Sequence, residues 1–209
     1  MYGATRLAPL YRSAPDLLGN VRYVEGDGPG APLTDAVVVG AVRDVVAGYG
    51  FAQPSSAAEE ALPGDGVQVA FDSPDALWRT VHLTVDVEEI LTGDIPTDTK
   101  QISVGLAIGN GTVDERLLKD GIMALGKSVW FLRSGSPVFS YDASLYSDIE
   151  DGGLIAEVAP DGGVSFPMLE PDGMTAALLG RPTLAQLRDA AQDPTRIVRL
   201  HREGGTWLR

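Results

Sequence analysis

Residues 121–128 have the spacing of a phosphate-binding loop. The segment from Gly121 to Ser128 reads GIMALGKS, which matches G-x-x-x-x-G-K-[ST]. A working loop of this kind follows a buried strand and opens a helix, so that backbone N–H groups and the helix dipole meet the phosphates. Here the order is inverted, because a charged, helix-like segment (112–120) precedes the motif and a β-branched, aromatic segment (128–132) follows it. We therefore predict a loop that enters a strand, without nucleotide chemistry.

The two histidines, His82 and His201, are the candidates for acid–base or zinc chemistry. A serine–histidine hydrolase would place a serine on a sharp elbow, and the sequence contains no G-x-S-x-G. A zinc site would require a third ligand, and no close spacing of carboxylates supplies one. Each histidine lies on the polar face of a predicted strand. We predict that both are exposed strand residues.

Three carboxylates, Asp86, Glu88 and Glu89, lie close together near the end of one predicted strand. A pair of carboxylates can serve a glycosidase, but neighbouring strand residues point to opposite faces of a sheet. The alternation slips at residues 88–90, which predicts a β-bulge there. Solvated strand charges are the interpretation that we favour. The alternative is a carboxylate-based hydrolase with a cleft beside the barrel, built from Asp86, Glu88, Asp142 and Glu150.

An acidic loop follows at residues 141–153, with Asp142, Asp148, Glu150 and Asp151. Calcium binds oxygen clusters of this type. The spacing is not that of an EF-hand, and a chain this acidic carries many loop carboxylates without any ion. We therefore predict solvated carboxylates and no cofactor, with calcium as the alternative.

The charge balance excludes several partners. The 209 residues carry a formal charge of −13, with a sequence pI of about 4.4, so phosphate-rich nucleic acids and anionic membranes are repelled. No apolar run has the length of a membrane span. The absence of cysteine excludes disulfides, thiolate metal sites and cysteine nucleophiles. The charge is uneven, because residues 181–209 hold six arginines against three acidic residues.

Short segments with strand character fill the middle of the chain. We predict strands over 35–46, 67–71, 79–95, 100–108, 128–132 and 137–141, a hairpin over 153–166 and a closing hairpin around 203–205. Gly40 within the first of them predicts a bulge or a close approach of two backbones. A capping box of Thr183 and Gln186 predicts a short helix over 182–191. The fold class that follows is mainly β, an antiparallel barrel or sandwich with one or two short helices.

Four segments in order carry a family resemblance. LTDAVVVGAV (33–42), VHLTVDVEEILTGDI (81–95), QISVG (101–105) and ALGKSVWFLRSG (124–135) resemble the OB-fold, netrin-like domains of bacterial proteins. These domains are distantly similar to the N-terminal domain of tissue inhibitors of metalloproteinases. The resemblance implies a five-stranded, OB-like antiparallel barrel that binds partners and has no shared catalytic residues. The inhibitors chelate zinc through an N-terminal cysteine, so that activity does not carry over to a chain without cysteine.

The predicted organisation has three parts. Residues 1–32 form an N-terminal arm, residues 33–170 the barrel with an insertion at 52–66, and residues 171–209 a helix and hairpin that pack on the barrel. If Met1 is the native start, we expect a cytoplasmic protein. If Met1 was added, the mature part of an exported protein is the alternative.

The predicted function is a non-enzymatic module that binds a protein partner or assembles with its own copies. The candidate interaction surface is the basic C-terminal segment, which contrasts with the acidic body of the chain. Its residues are Arg196, Arg199, Arg202 and Trp207. A component of a larger assembly, with the N-terminal arm on a neighbour, is a further alternative.

Overall fold

The computed structural model describes residues 21–24, 31–32, 34–53, 66–108, 114–135, 139–148, 155–166, 182–193, 198–203 and 206–208. These ranges contain twelve strands and two helices. In chain order they are β1 (Val21–Val24), β2 (Ala31–Pro32), β3 (Ala36–Ala52), β4 (Val67–Val69), β5 (Trp78–Gly93), β6 (Gln101–Ile108), α1 (Glu115–Met123), β7 (Lys127–Arg133), β8 (Tyr146–Asp148), β9 (Ile155–Val158), β10 (Val164–Ser165), α2 (Leu184–Ala191), β11 (Val198–Glu203) and β12 (Thr206–Leu208).

Five strands close into a ring. The main sheet has the order β10-β9-β7-β8-β6-β5-β3-β4, and β7 also pairs with β3, so β3, β5, β6, β8 and β7 form a closed circuit. This confirms the prediction of a mainly β fold with a five-stranded ring and short helices. Strands β4, β9 and β10 continue the sheet beyond the ring, so it is not a clean barrel. The predicted hairpin over 153–166 is confirmed as β9 and β10, which pair antiparallel.

One junction of the ring differs from the antiparallel expectation. Strands β6 and β8 pair in parallel, with Val104 opposite Tyr146. The direction follows from the other junctions, which are all antiparallel. β5 is antiparallel to both β3 and β6, so β6 runs in the direction of β3. β7 is antiparallel to both β3 and β8, so β8 also runs in that direction. A five-membered ring cannot alternate throughout, so one junction must be parallel.

Bulges bend the two longest strands, β3 and β5, around the ring. Along β5, Val81, Leu83 and Val85 are buried in the core. The register then slips, since Val39 pairs with Glu89 while Gly40 pairs with Val87. Glu88 is therefore an extra residue, and the predicted bulge at 88–90 is confirmed. Bulges increase local twist and bend a strand, which closure of a small ring requires.

Gly40 marks a close approach of β3 and β5. A Cβ atom at this position would lie 2.3 Å from the carbonyl oxygen of Asp86. The Gly40 carbonyl oxygen also accepts a hydrogen bond of 3.4 Å from Nε1 of the buried Trp130. The prediction of a close backbone approach at this glycine is confirmed.

The segment that contains the phosphate-loop spacing is a helix, a turn and a strand, in that order. Helix α1 begins at Glu115, where Asp114 accepts hydrogen bonds from two backbone N–H groups of the first turn. Gly126 has a φ angle of +60°, a left-handed conformation that suits glycine. Strand β7 then begins at Lys127. The predicted loop that enters a strand is confirmed.

Strand β7 is buried on both faces, in keeping with its continuous apolar run over residues 129–132. Trp130 and Leu132 pack in the ring core with β5 and β6. Val129 and Phe131 are equally buried. The ring of Phe131 lies 6.1 Å from that of Phe166, just after β10, so the second face is covered by the part of the chain that follows the ring.

Helix α2 covers the end of the β9–β10 hairpin. Thr183 and Gln186 form the predicted capping box at its first turn, with hydrogen bonds in both directions. The backbone N–H of Leu184 donates to the carbonyl oxygen of Gly162 at 2.9 Å. Leu187 is fully buried. The helix is therefore held by its cap, by the hairpin turn and by an apolar face.

A second sheet joins the two ends of the chain. Its order is β12-β11-β1-β2, with β1 parallel to β11 and β11 antiparallel to β12. The predicted closing hairpin is confirmed by the β11–β12 pairing. Within the range predicted as an arm, the described residues are the strands β1 and β2. The division into three parts at residues 32 and 170 stays a prediction.

Candidate functional site

The residues of the phosphate-loop spacing make contacts of another kind. The ammonium group of Lys127 pairs with the carboxylate of Glu88 on β5. The Ser128 hydroxyl is buried and donates to the carbonyl oxygens of Leu125 and Gly126, at 3.3 and 3.4 Å. The two side chains that would contact phosphate and magnesium are thus occupied, and no helix starts after them.

The carboxylates of β5 are paired with cations or amides. Asp86 accepts a 2.8 Å hydrogen bond from Gln101 and lies 3.7 Å from the guanidinium of Arg43. Glu89 accepts three hydrogen bonds of 2.6 to 3.1 Å from Arg188 on α2. These bonds hold the pKa of Glu89 below its ordinary value. Glu88 is paired with Lys127. The three carboxylates of β5 therefore connect this strand to β3, β6, β7 and α2.

Asp142 is the remaining residue of the hydrolase alternative that the structure describes. Asp142 accepts hydrogen bonds from the backbone N–H and the hydroxyl of Ser144, at 3.0 and 2.6 Å. The hydroxyl bond, followed by the backbone bond, lowers the pKa of Asp142, so its carboxyl group is a poor proton donor. Glu150 lies outside the described residues. A general acid would need a raised pKa, and the pKa of Asp142 is lowered instead. The hydrolase alternative stays a prediction.

The predicted calcium loop is described only in part. Glu150 and Asp151 lie outside the described residues, and Asp148 is described as the last residue of β8. Within the described ranges, no group of three or more histidine or acidic side chains has an arrangement that could hold a metal ion. The calcium alternative stays a prediction on the 141–153 loop.

His82 is half-buried, so the prediction of an exposed strand residue is wrong for it. Its Nε2 atom lies 2.8 Å from the hydroxyl of Tyr141 and shares a hydrogen bond with it. The same hydroxyl lies 3.0 Å from Oγ1 of the buried Thr80. Burial lowers the pKa of His82 and raises the pKa of Tyr141, so both groups are neutral at pH 7. His201 lies in β11, opposite Leu208 of β12.

The polar face of β5 is covered at Thr80 and His82 because residues 139–145 fold back over it. The sequence predicts a strand over 137–141, which is wrong for residues 139–141, because they form a turn. Phe139 is buried against Gly105 of β6, which lies opposite His82 in the register. A glycine inside an otherwise regular strand is the signal in the sequence that indicates such a close contact.

We call residues 139–145 the covering turn. Six rings lie together where it meets the end of β3 and the start of β5. We call Tyr49, Phe51, Trp78, His82, Phe139 and Tyr141 the aromatic cluster. Phe51 and Trp78 stack with ring centroids 3.9 Å apart, and Tyr49 meets Tyr141 edge-to-face at 5.2 Å. The His82 and Tyr141 rings are 5.8 Å apart and nearly parallel. Sequence reasoning missed this cluster, because its members come from three separate segments.

Exposed apolar side chains border the aromatic cluster, and one of them, Tyr49, belongs to it. We call them the apolar margin, and they are Val46 (49% exposed), Tyr49 (39%), Val67 (53%) and Leu77 (46%). The backbone N–H of Leu77 donates to the carbonyl oxygen of Phe51, and Val67 pairs with Ala52. The margin therefore follows β3 and its neighbours β4 and β5 at one end of the main sheet.

Three of the four predicted interaction residues of the C-terminal segment, Arg199, Arg202 and Trp207, belong to the other sheet. In the register, Arg199 lies opposite Arg22 of β1, and Arg202 lies opposite Trp207 of β12. Arg196 lies outside the described residues. The role of these four residues in binding stays a prediction.

The comparisons with known proteins returned no relative. No protein-family model, no curated protein and no solved structure matches this chain. Among the described residues, neither helix reaches the length and apolar character that crossing a bilayer requires.

Proposed function

We propose that this chain is a non-enzymatic binding module that docks a basic protein partner on the apolar margin. The observation that carries the proposal is the exposure of Val46, Tyr49, Val67 and Leu77 at one end of the sheet. Their backbones lie on β3 or beside it, because Val67 pairs with Ala52 and the N–H of Leu77 bonds to Phe51. Exposed apolar residues grouped in one part of a surface mark interaction sites. The three carboxylates of β5, Asp86, Glu88 and Glu89, are in ion pairs with basic side chains. Binding is therefore the function that this geometry supports best.

The edge strand β4 offers a way for a partner to bind. In the described residues β4 pairs with β3 alone, and Val67 and Gln68 are exposed. A strand at the edge of a sheet presents backbone N–H and C=O groups to an incoming segment. Addition of a partner strand would use these groups, while Val67 and Leu77 would supply apolar contacts.

Charge favours a basic partner over a second copy of the chain. The chain has 29 acidic residues against 16 lysines and arginines. Five basic side chains of the described ranges are already in ion pairs with carboxylates. Two such acidic surfaces repel one another, whereas a basic partner is steered towards them.

The ring architecture agrees with a binding role. The five strands close through a β7–β3 junction, and α1 lies between the third and fourth ring strands in the chain. This arrangement supports the OB-like barrel that the resemblance implies, a fold whose members bind ligands on strands and loops of the barrel surface. Membership of the netrin-like group is part of the proposal.

The test compares capture by matched surface variants. Immobilised wild-type protein, Val67→Lys, Leu77→Lys and Leu117→Lys would be exposed to extract of the native cell, and retained proteins quantified by mass spectrometry. Leu117 on α1 is 69% exposed. Leu117→Lys serves as the control, because it changes charge and apolarity as much as the two margin variants do. We expect a basic protein that wild type and Leu117→Lys retain and that both margin variants lose.

Three results would contradict the proposal. The first is equal retention by all four proteins, or retention of nothing. The second is an acidic partner, since the charge argument would then be wrong. The third is a wild-type dimer in light scattering that Val67→Lys dissociates, because a second copy would then occupy the margin.

A further inference from the structure

We propose that Tyr49, Tyr141 and Asp142 form a site for an arginine side chain of the partner. The inference rests on the proposed function, because it names the chemistry by which a basic partner would be held beside the apolar margin. Tyr49 and Tyr141 have no predicted role in the sequence, and Asp142 is predicted only as a solvated carboxylate, with a catalytic or calcium-binding role as the alternative. Each of the three comes from the aromatic cluster or the turn that covers it.

The two tyrosines provide the aromatic part of the site. Their rings meet at 88°, with centroids 5.2 Å apart, so ring surface is presented in two directions. Tyr49 keeps 39% of its surface exposed in spite of this contact. A guanidinium group is attracted to the face of an aromatic ring and packs flat against it. The exposed ring of Tyr49 is the surface on which such a group would lie.

Asp142 provides the charge. It follows Tyr141 directly, and its carboxylate acts electrostatically on both His82 and Tyr141. Its two bonds from Ser144 use one oxygen, Oδ1. Asp142 takes part in none of the ion pairs within the described residues. It is therefore an ionised carboxylate whose second oxygen accepts no hydrogen bond from the part of the chain that the structure describes.

His82 keeps the site attractive to cations. Burial lowers the pKa of its imidazole, so that it is neutral at pH 7 and does not repel a guanidinium group. Its hydrogen bond with the Tyr141 hydroxyl fixes the ring that borders the site. Thr80 holds the same hydroxyl from the other side and also accepts from the backbone N–H of Tyr49. The two tyrosines are thus positioned by the same strand.

The experiment is an NMR titration of the full chain with short capped peptides. The probe is acetyl-Gly-Arg-Gly-amide, with citrulline in place of arginine as the uncharged isostere and with lysine as the second cation. We expect the arginine peptide to shift the amide signals of Tyr49, Tyr141 and Asp142. The citrulline peptide should leave them unchanged, and the lysine peptide should bind more weakly because its ammonium group is strongly hydrated.

Two variants and a matched control test the residues. Asp142→Asn keeps an oxygen for the bonds from Ser144 and loses the charge, and Tyr49→Leu removes the ring. Asp161→Asn is the control, because Asp161 likewise accepts a hydrogen bond from the backbone N–H two residues ahead. We expect the two site variants to weaken arginine binding about fivefold to tenfold, in line with cation–π and charge contributions, and the control to leave it unchanged.

The inference would be overturned if the citrulline or the lysine peptide bound as tightly as the arginine peptide. It would also be overturned if Asp161→Asn weakened binding as much as the site variants do, or if the arginine peptide shifted only signals of other residues. The outcome is separable from that of the capture experiment. If Val67→Lys loses the partner while the titration fails, the arginine site is wrong and the proposed function stands. If capture also fails to depend on the margin, the proposed function is wrong as well.

Discussion

Gly105 of β6 lies under the ring of Phe139, and this contact holds the covering turn over His82. We predict that Gly105→Ala and Phe139→Ala each destabilise the protein, and that the double variant is no less stable than Phe139→Ala alone. A Cβ atom at residue 105 would lie 2.4 Å from Cε1 of Phe139 and 2.7 Å from Cδ1 and Cζ. Removal of the ring removes all three contacts at once.

The magnitudes follow from these distances. Carbon atoms attract best at about 3.5 to 4.0 Å, so the new methyl group must displace the ring by about 1 Å. Overpacking of this kind costs about 1–3 kcal/mol. Phe139 is 3% exposed, so truncation to alanine should lower the free energy of unfolding by about 3–5 kcal/mol. In the double variant the methyl group enters the space that the ring leaves, and a coupling of about 1–3 kcal/mol results.

The assay is urea unfolding followed by circular dichroism and tryptophan fluorescence. Gly121→Ala is the control, because nothing lies within 4 Å of a Cβ atom at that helical glycine. We expect it to stabilise α1 by up to about 1 kcal/mol. Additive losses in the Gly105→Ala, Phe139→Ala double variant would refute the reasoning, since two independent sites would then be involved.

Three further predictions use the same unfolding measurement. Lys127→Ala should change the free energy of unfolding by less than about 1 kcal/mol, because its pair with Glu88 is exposed; loss of ATP binding in this variant would contradict our interpretation of the segment. Leu187→Ala should cost about 2–5 kcal/mol, because this side chain of α2 is fully buried, and a near-silent result would mean that α2 is not packed as described. The lowered pKa of His82 should contribute stability that is fully present above its ordinary pKa of 6.5 and lost as pH falls from there through the folded value. His82→Gln should remove this dependence, and an unchanged pH profile in that variant would assign it to other groups.

Much of the strand framework follows from local patterns in the sequence. The alternation of Val81, Leu83 and Val85 determines which face of β5 enters the core, and its slip at Glu88 locates the bulge. The capping box at Thr183 and Gln186 starts α2 where predicted. These features depend on neighbours within a few residues, so one segment contains the information for each.

The aromatic cluster could not be predicted in this way. Tyr49 lies 33 residues before His82, and His82 lies 59 residues before Tyr141, so only ring closure and the folding back of the 139–145 turn bring them together. The alternation of β5 correctly places His82 away from the core, but a polar face can be covered by a distant segment. Gly105, the one local sign of that cover, has several meanings in a strand.

What the sequence alone determined about this protein is the class of its elements, the inverted order around Gly126 and Lys127, and the exclusion of thiol chemistry. What only the tertiary structure decided is which side chains are neighbours. It placed a cation or an amide beside each of the carboxylates of β5, buried β7 on both faces and left Tyr49 exposed beside Tyr141. The physical reason is that secondary structure depends on local periodicity, whereas pairing and exposure depend on contacts between residues far apart in the chain.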